Sequence, residues 1–229
     1  MSDTLTVEQR GPVRIVTMDD GKANAFSLGV INDLRGLLRE AEADDETRSL
    51  VIAGREGRFS GGFDLSAMRA GDVDAVVELV AAGGALVADL YASPLTVVAA
   101  ATGHAVAAGA LVLLGCDHRV GVDGPVKIGL NEVAIGMVLP PWALIIARDR
   151  LSKRYFHSST TNARLFDGRT AVDAGFLDEV VAAESVVERA LEKATELSAL
   201  VPAAYARTVE VVRGPVIAEM RAVDPRSIL

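Results

Sequence analysis

Cysteine is nearly absent from this sequence: Cys116 stands alone among 229 residues. A lone cysteine excludes an internal disulfide and fits a reducing cytoplasm. Aromatic residues make up only 4% and tryptophan occurs once. No basic tract or cluster of interleaved basic and aromatic residues occurs, and the formal net charge is −8. These features argue against a nucleic-acid partner. The histidines His104, His118 and His157 lack metal-ligand spacing, so no metal is expected. There is no GxxxxGK[ST] phosphate loop and no GxGxxG, and Ser60 is not in a GxSxG elbow. The first ten residues are polar and show no apolar signal-peptide region.

Apolar residues are abundant. They make up 50% of the chain, and mean hydropathy is +0.31. A chain of this length can build one large core with a small appendage. The stretch from Leu95 to Cys116 carries no formal charge and is long enough to span a bilayer. Gly103-His104 interrupts it, its first third is β-branched, and no basic flank follows. A buried strand, a turn and a helix are expected there, not a membrane span.

Hydrophobic spacing predicts strands at 4–9 and 13–18 around a hairpin turn. Ser27 can cap a helix that buries Leu28, Ile31, Leu34, Leu38 and Ala41. A strand at 50–53 and a helix at 73–91 follow. After the strand at 95–101 come a strand at 118–122, a helix from Pro140-Pro141 to about 151, and a strand at 176–181. From Glu184 onward the pattern is helical, punctuated at Pro202 and at Gly214-Pro215.

Two glycine-rich junctions carry candidate chemistry, at 54–65 and 102–117. Such a turn leaves backbone N–H groups free, and its small side chains let a substrate oxygen approach. That suits an oxyanion site; tight packing without a ligand is the alternative. Glu132 is the lone acid between Leu130 and Ile135. Partial burial would raise its pKa toward neutrality and suit it to general acid/base work. An exposed loop position is the alternative.

Four motifs then occur in a shared order. Phe59-Ser60-Gly61-Gly62-Phe63-Asp64-Leu65 resembles the F-[SC]-A-G-x-D-[LI] signature of the crotonase superfamily, the enoyl-CoA hydratase/isomerase family. Gly103 to Val120 resembles its second signature, ending in C-D-x-R-[VI]. Lys22-Ala23-Asn24-Ala25 resembles its adenine-pocket motif, and Ala174 to Val181 its A-x-x-x-G-[LIF]-[VI]-D-x-[VI]-[VI] element. Each motif alone is weak; four in order are specific.

The resemblance implies an α/β fold: a spiral of stacked ββα turns over 1–183, then a C-terminal helical region over 184–229 that joins trimers or paired trimers. It implies an acyl-CoA substrate, with coenzyme A present only as part of that substrate. The thioester carbonyl would meet the N–H groups of Phe63 and Ala108. Lys22, Ala23, Asn24, Ala25, Gly61, Gly62, Asp64, Leu65 and Leu111 would line the substrate and coenzyme site. Two departures from the family pattern are Gly61, usually alanine, and Ala107-Ala108-Gly109, usually richer in glycine. The hydratases' first glutamate is replaced here by Leu111, whereas Glu132 matches the second. Δ3,Δ2-Enoyl-CoA isomerases share leucine at the first place and the Ile128–Glu132 run. Isomerisation of 3-enoyl-CoA to 2-enoyl-CoA by Glu132 is therefore expected, with hydratase action or a silent acyl-CoA-binding protein as alternatives. The stripe Val186, Val187, Ala190, Leu191, Ala194 and Leu197 is expected to meet another copy of the chain.

Overall fold

A computed structural model describes residues 4–64, 66 and 71–228. Its large sheet has the order β1-β2-β3-β5-β7-β9. β1 (Leu5–Arg10) and β2 (Val13–Met18) form the antiparallel hairpin. β3 (Ser49–Gly54), β5 (Thr96–Ala101), β7 (His118–Val122) and β9 (Glu179–Val181) add in parallel. A second, parallel sheet comprises β4 (Gly57–Ser60), β6 (Gly103–Val106) and β8 (Ile128–Gly129). The chain repeatedly leaves the large sheet, adds a short strand to the small one, and continues into helix. This is the stacked ββα spiral expected from the resemblance.

β6 is a finding beyond the sequence pattern, which reads Gly103 to Val106 as part of a turn. Its first residue must be glycine, because a β-carbon on Gly103 would stand 2.0 Å from the Gly57 carbonyl carbon. The expected strand at 176–181 shrinks to β9. Phe176 and Leu177 are instead buried in the main core, after the left-handed Gly175 that ends a short helix, α6 (Gly168–Ala174).

The central parallel strands β3 and β5 are buried on both faces, as interior strands of a parallel sheet require. Along β5, Val97, Ala99 and Ala101 face the main core, while Val98 and Ala100 face a second cluster. The main core takes α1 (Leu28–Glu42), capped by the Ser27 side chain, α2 (Val73–Ala92), α3 (Ala108–Leu114) and α4 (Pro141–Arg150). Between α4 and α6 lies the short helix α5 (Phe156–Ser159).

The second cluster corrects one expectation. α7 (Val186–Ser198) lays Val186, Ala190, Leu191 and Ala194 on the sheet's outer face, with Val187 and Leu197 packed alongside. The stripe expected between copies is thus used within one chain. Val13, Ile15, Val51, Val98 and Val120 all point to that face and need a cover. The last helix, α8 (Pro202–Arg221), also differs: it runs unbroken through Gly214-Pro215. The missing Pro215 N–H would have met the carbonyl of Val211, a residue 61% exposed, where water can replace it. α8 packs on α2 and α4. Asp117 tethers it, accepting from Tyr205 Oη at 2.8 Å, Arg213 Nη2 at 2.5 Å and the Val97 N–H at 2.7 Å. Leu95–Cys116 forms β5, β6 and α3, and no described helix is long and apolar enough to cross a membrane.

Candidate active site

The two glycine-rich junctions meet at one place. In the first, a short bridge joins Phe26 to Phe63: the Phe26 N–H donates to the Gly62 carbonyl (2.8 Å), and the Asp64 N–H donates to the Phe26 carbonyl (2.9 Å). Gly62 has φ +98, which glycine adopts freely. In the second junction, Ala107 precedes α3 with φ 51 and ψ −125, a conformation that also favours glycine. A β-carbon on Gly62 would lie 2.9 Å from the Ala107 Cβ and 3.5 Å from the Ala108 nitrogen. The turns bearing Phe63 and Ala108 are therefore in contact. Among the described residues, neither the Phe63 nor the Ala108 N–H donates a hydrogen bond within the protein.

β8 ties Glu132 to this place. The Ala107 N–H donates to the Gly129 carbonyl at 3.0 Å. Three residues later, Glu132 opens a 3-10 turn over Val133–Ile135, and its carbonyl accepts from the Ile135 and Met137 N–H groups. Its side chain faces a cleft of about 370 Å³, lined also by Phe63, Ala107 and Leu111. Glu132 is 5% exposed, and its Oε2 has no hydrogen-bond partner. Burial pushes its pKa up to about 7. The arrangement sets one titratable carboxyl in an apolar cleft whose wall includes the turns that carry the Phe63 and Ala108 N–H groups. It can move a proton beside a carbonyl whose oxygen is polarised.

Residues 8–222 match the family described as enoyl-CoA hydratase/isomerase. The chain belongs to this family, within the crotonase superfamily. Human mitochondrial enoyl-CoA delta isomerase 1 is 31% identical over 197 residues, covering 82% of this chain and 63% of that one. The chain thus spans just under two thirds of that relative's length. A crystal structure of an enoyl-CoA hydratase/isomerase family protein from Pseudomonas syringae superposes with a TM-score of 0.95 at 37% identity, covering 99% of both chains. The apo structure of a Mycobacterium tuberculosis enoyl-CoA isomerase gives 0.92 at 38% identity, covering 97% of this chain and 96% of that one.

Within this family frame, the structure brings Gly61, Phe63, Leu111 and Glu132 into the cleft wall. Leu111 is 1% exposed. Ala108 buries its methyl behind the wall, near Phe26 and Trp142, with only its backbone at the junction. The loop bearing Lys22, Ala23, Asn24 and Ala25 runs beside Gly61, whose N–H donates to the Ala23 carbonyl at 2.7 Å. A β-carbon on Gly61 would sit 3.2 Å from that of Ala23, so the alanine usual in the family would need the Ala23 loop to give by a few tenths of an ångström. Lys22 and Ala23 are exposed. The Asn24 side chain is buried and donates to the Met18 carbonyl at 2.8 Å, so it holds the loop in place. Asp64 lies outside the cleft wall, and its carboxylate accepts from the Ser66 N–H at 3.0 Å. Leu65 falls outside the described residues. Sequence reasoning missed Asn131, Val76 and Val80 as wall residues. Adjacency to Glu132 marks Asn131, while nothing local marks the two valines.

Proposed function

We propose that this protein shifts the double bond of 3-enoyl-CoA to give 2-enoyl-CoA, with Glu132 as its single acid/base. One observation carries the reading. Glu132 is the one titratable side chain among the described lining residues, and Leu111 fills the place of a second acid with buried hydrocarbon. Isomerisation removes a proton from C2 and returns one at C4. A carboxylate over both carbons does both jobs, through a dienolate. The Phe63 and Ala108 N–H groups hold the dienolate oxygen, each contributing ~3 kcal/mol. Hydration is better served by two polar groups, one activating water and one protonating C2. A purely binding protein would have no use for a desolvated carboxyl that titrates near neutrality.

Coenzyme A enters as part of the substrate, with Lys22–Ala25 toward its adenine and Gly61, Gly62, Asp64 and Leu65 along its path. Residues 1–183 form the catalytic spiral and 184–229 support assembly into trimers or hexamers. The lone buried thiol of Cys116 suits a cytoplasmic setting. Glu132→Gln tests the assignment, since it keeps the shape and loses the proton acceptor. Turnover of a 3-enoyl-CoA should fall about 10²- to 10⁴-fold. Binding of the thioester should stay within a few-fold. Near-normal turnover would remove Glu132 from the mechanism.

A further inference from the structure

The small sheet carries a second cluster at its other end, where its strands begin. Arg58 on β4 is the register partner of His104 on β6. Lys127 directly precedes β8, and its N–H donates to His104 Nδ1 at 2.8 Å. Neighbouring strands lie about 4.8 Å apart, so the three residues form one row. Phe59, Ala105 and Ile128 are buried in the core, while Arg58 and His104 are half-buried and Lys127 is exposed. Among the described residues, no side-chain carboxylate bonds to any of the three. Arg58 Nε is buried and has no hydrogen-bond partner. Because His104 Nδ1 accepts, the neutral ring carries its proton on Nε2 and offers a donor there. The His104 pKa is lowered, first by burial and then by the charges of Arg58 and Lys127, so both cations act on one ring. Like charges on neighbouring strands destabilise a sheet, and a buried donor left unsatisfied costs free energy as well. An anion seated on the row relieves both.

We propose that Arg58, His104 and Lys127 form a binding site for the phosphate monoester of a small molecule other than the substrate. Two cations flanking a neutral N–H donor suit a dianion. A tetrahedral phosphate presents oxygens in several directions and can accept from three strands at once. A carboxylate brings one charge on two oxygens in one plane. The row also stands apart from the cleft. Arg58 comes five residues before Phe63, His104 four before Ala108 and Lys127 five before Glu132. At about 3.3 Å per residue, on the order of 10–15 Å of strand and turn separates the row from those groups. Arg58, His104 and Lys127 do not line the cleft. With a net charge of −8, the chain as a whole repels anions at long range. Binding at the row therefore depends on direct contacts and not on steering. The row is the same whichever reaction the cleft performs. Its occupant ties together the starts of the three short strands, and by mass action it stabilises the folded chain.

The test titrates inorganic phosphate into the whole protein by calorimetry, in chloride buffer of constant ionic strength. The titration is repeated with saturating coenzyme A and with saturating pantetheine. Wild type should bind one phosphate per chain in all three conditions. Lys127→Glu reverses the charge of an exposed side chain and should weaken phosphate binding about tenfold or more, the effect of losing one hydrogen bond between charged groups. Arg58→Gln should weaken it by a similar factor, while turnover of a 3-enoyl-CoA stays within a few-fold in both variants. If Arg58→Gln does not fold, Lys127→Gln takes its place and should fall between wild type and Lys127→Glu. No saturable phosphate binding, or binding equally tight in wild type and Lys127→Glu, would overturn the site. Phosphate binding that coenzyme A abolishes and pantetheine leaves intact would mean that the row takes the substrate's own phosphate, and would overturn the separate ligand.

Discussion

Gly62 and Ala107 face each other so closely that a β-carbon on Gly62 would stand 2.9 Å from the Ala107 methyl. The contact joins the two turns that present the Phe63 and Ala108 N–H groups. Gly62→Ala should therefore push the turns apart and strain a residue at φ +98. The expected cost is about 1–3 kcal/mol of stability from the backbone alone. Turnover should fall more than binding, because the carbonyl oxygen gathers charge only on the way to the dienolate. Thermal melts and steady-state kinetics on a 3-enoyl-CoA check both parts. Ala107→Gly relieves a conformation that favours glycine, so its melting temperature should hold or rise.

Glu132 should govern the pH profile. Its carboxyl is pushed up to about 7, first of all by burial. As a base it must be ionised, so kcat/KM should climb with pH through about 7. The stability consequence has the opposite sense. A carboxyl whose pKa is higher folded than unfolded contributes stability that is full below the unfolded value, near 4.5, and lost as pH rises through about 7. Glu132→Gln removes that dependence. Its stability relative to wild type should be greater at pH 8 than at pH 5, by a difference in unfolding free energy on the order of 3 kcal/mol, read from denaturant melts at the two pH values. Equal shifts at the two pH values would mean that Glu132 is solvated.

Assembly needs a surface other than the α7 stripe, which packs inside the chain. α8 offers Val211 and Val212, at 61% and 68% exposure, and Leu200 and Val201 are exposed just before its first turn. Light scattering at micromolar concentration should give three or six times the 24.0 kDa chain mass. Val212→Asp should lower that mass. A wild-type value equal to one chain would contradict the proposed assembly.

The stripe on α7 shows where the sequence was ambiguous. Val186, Ala190, Leu191 and Ala194 announce a buried face, but periodicity does not say which surface buries it. The outer face of the large sheet claims it, through residues from tens to well over a hundred positions away. β6 was hidden for a similar reason, since four residues beside a glycine pair only through contacts distant in sequence. Strands such as Thr96–Ala101 were legible because both faces are apolar over their full length. Glu132 was legible as one acid among hydrocarbon neighbours. Ala107 was not, because its role rests on a backbone angle.

The central claim is that one carboxylate facing Leu111 makes an isomerase. The direct test measures wild-type kcat/KM for a 3-enoyl-CoA and a 2-enoyl-CoA of equal chain length, at a pH above the Glu132 transition. The account predicts that isomerisation exceeds hydration by about tenfold or more, since hydration lacks its second acid. Hydration clearly more efficient than isomerisation would contradict it.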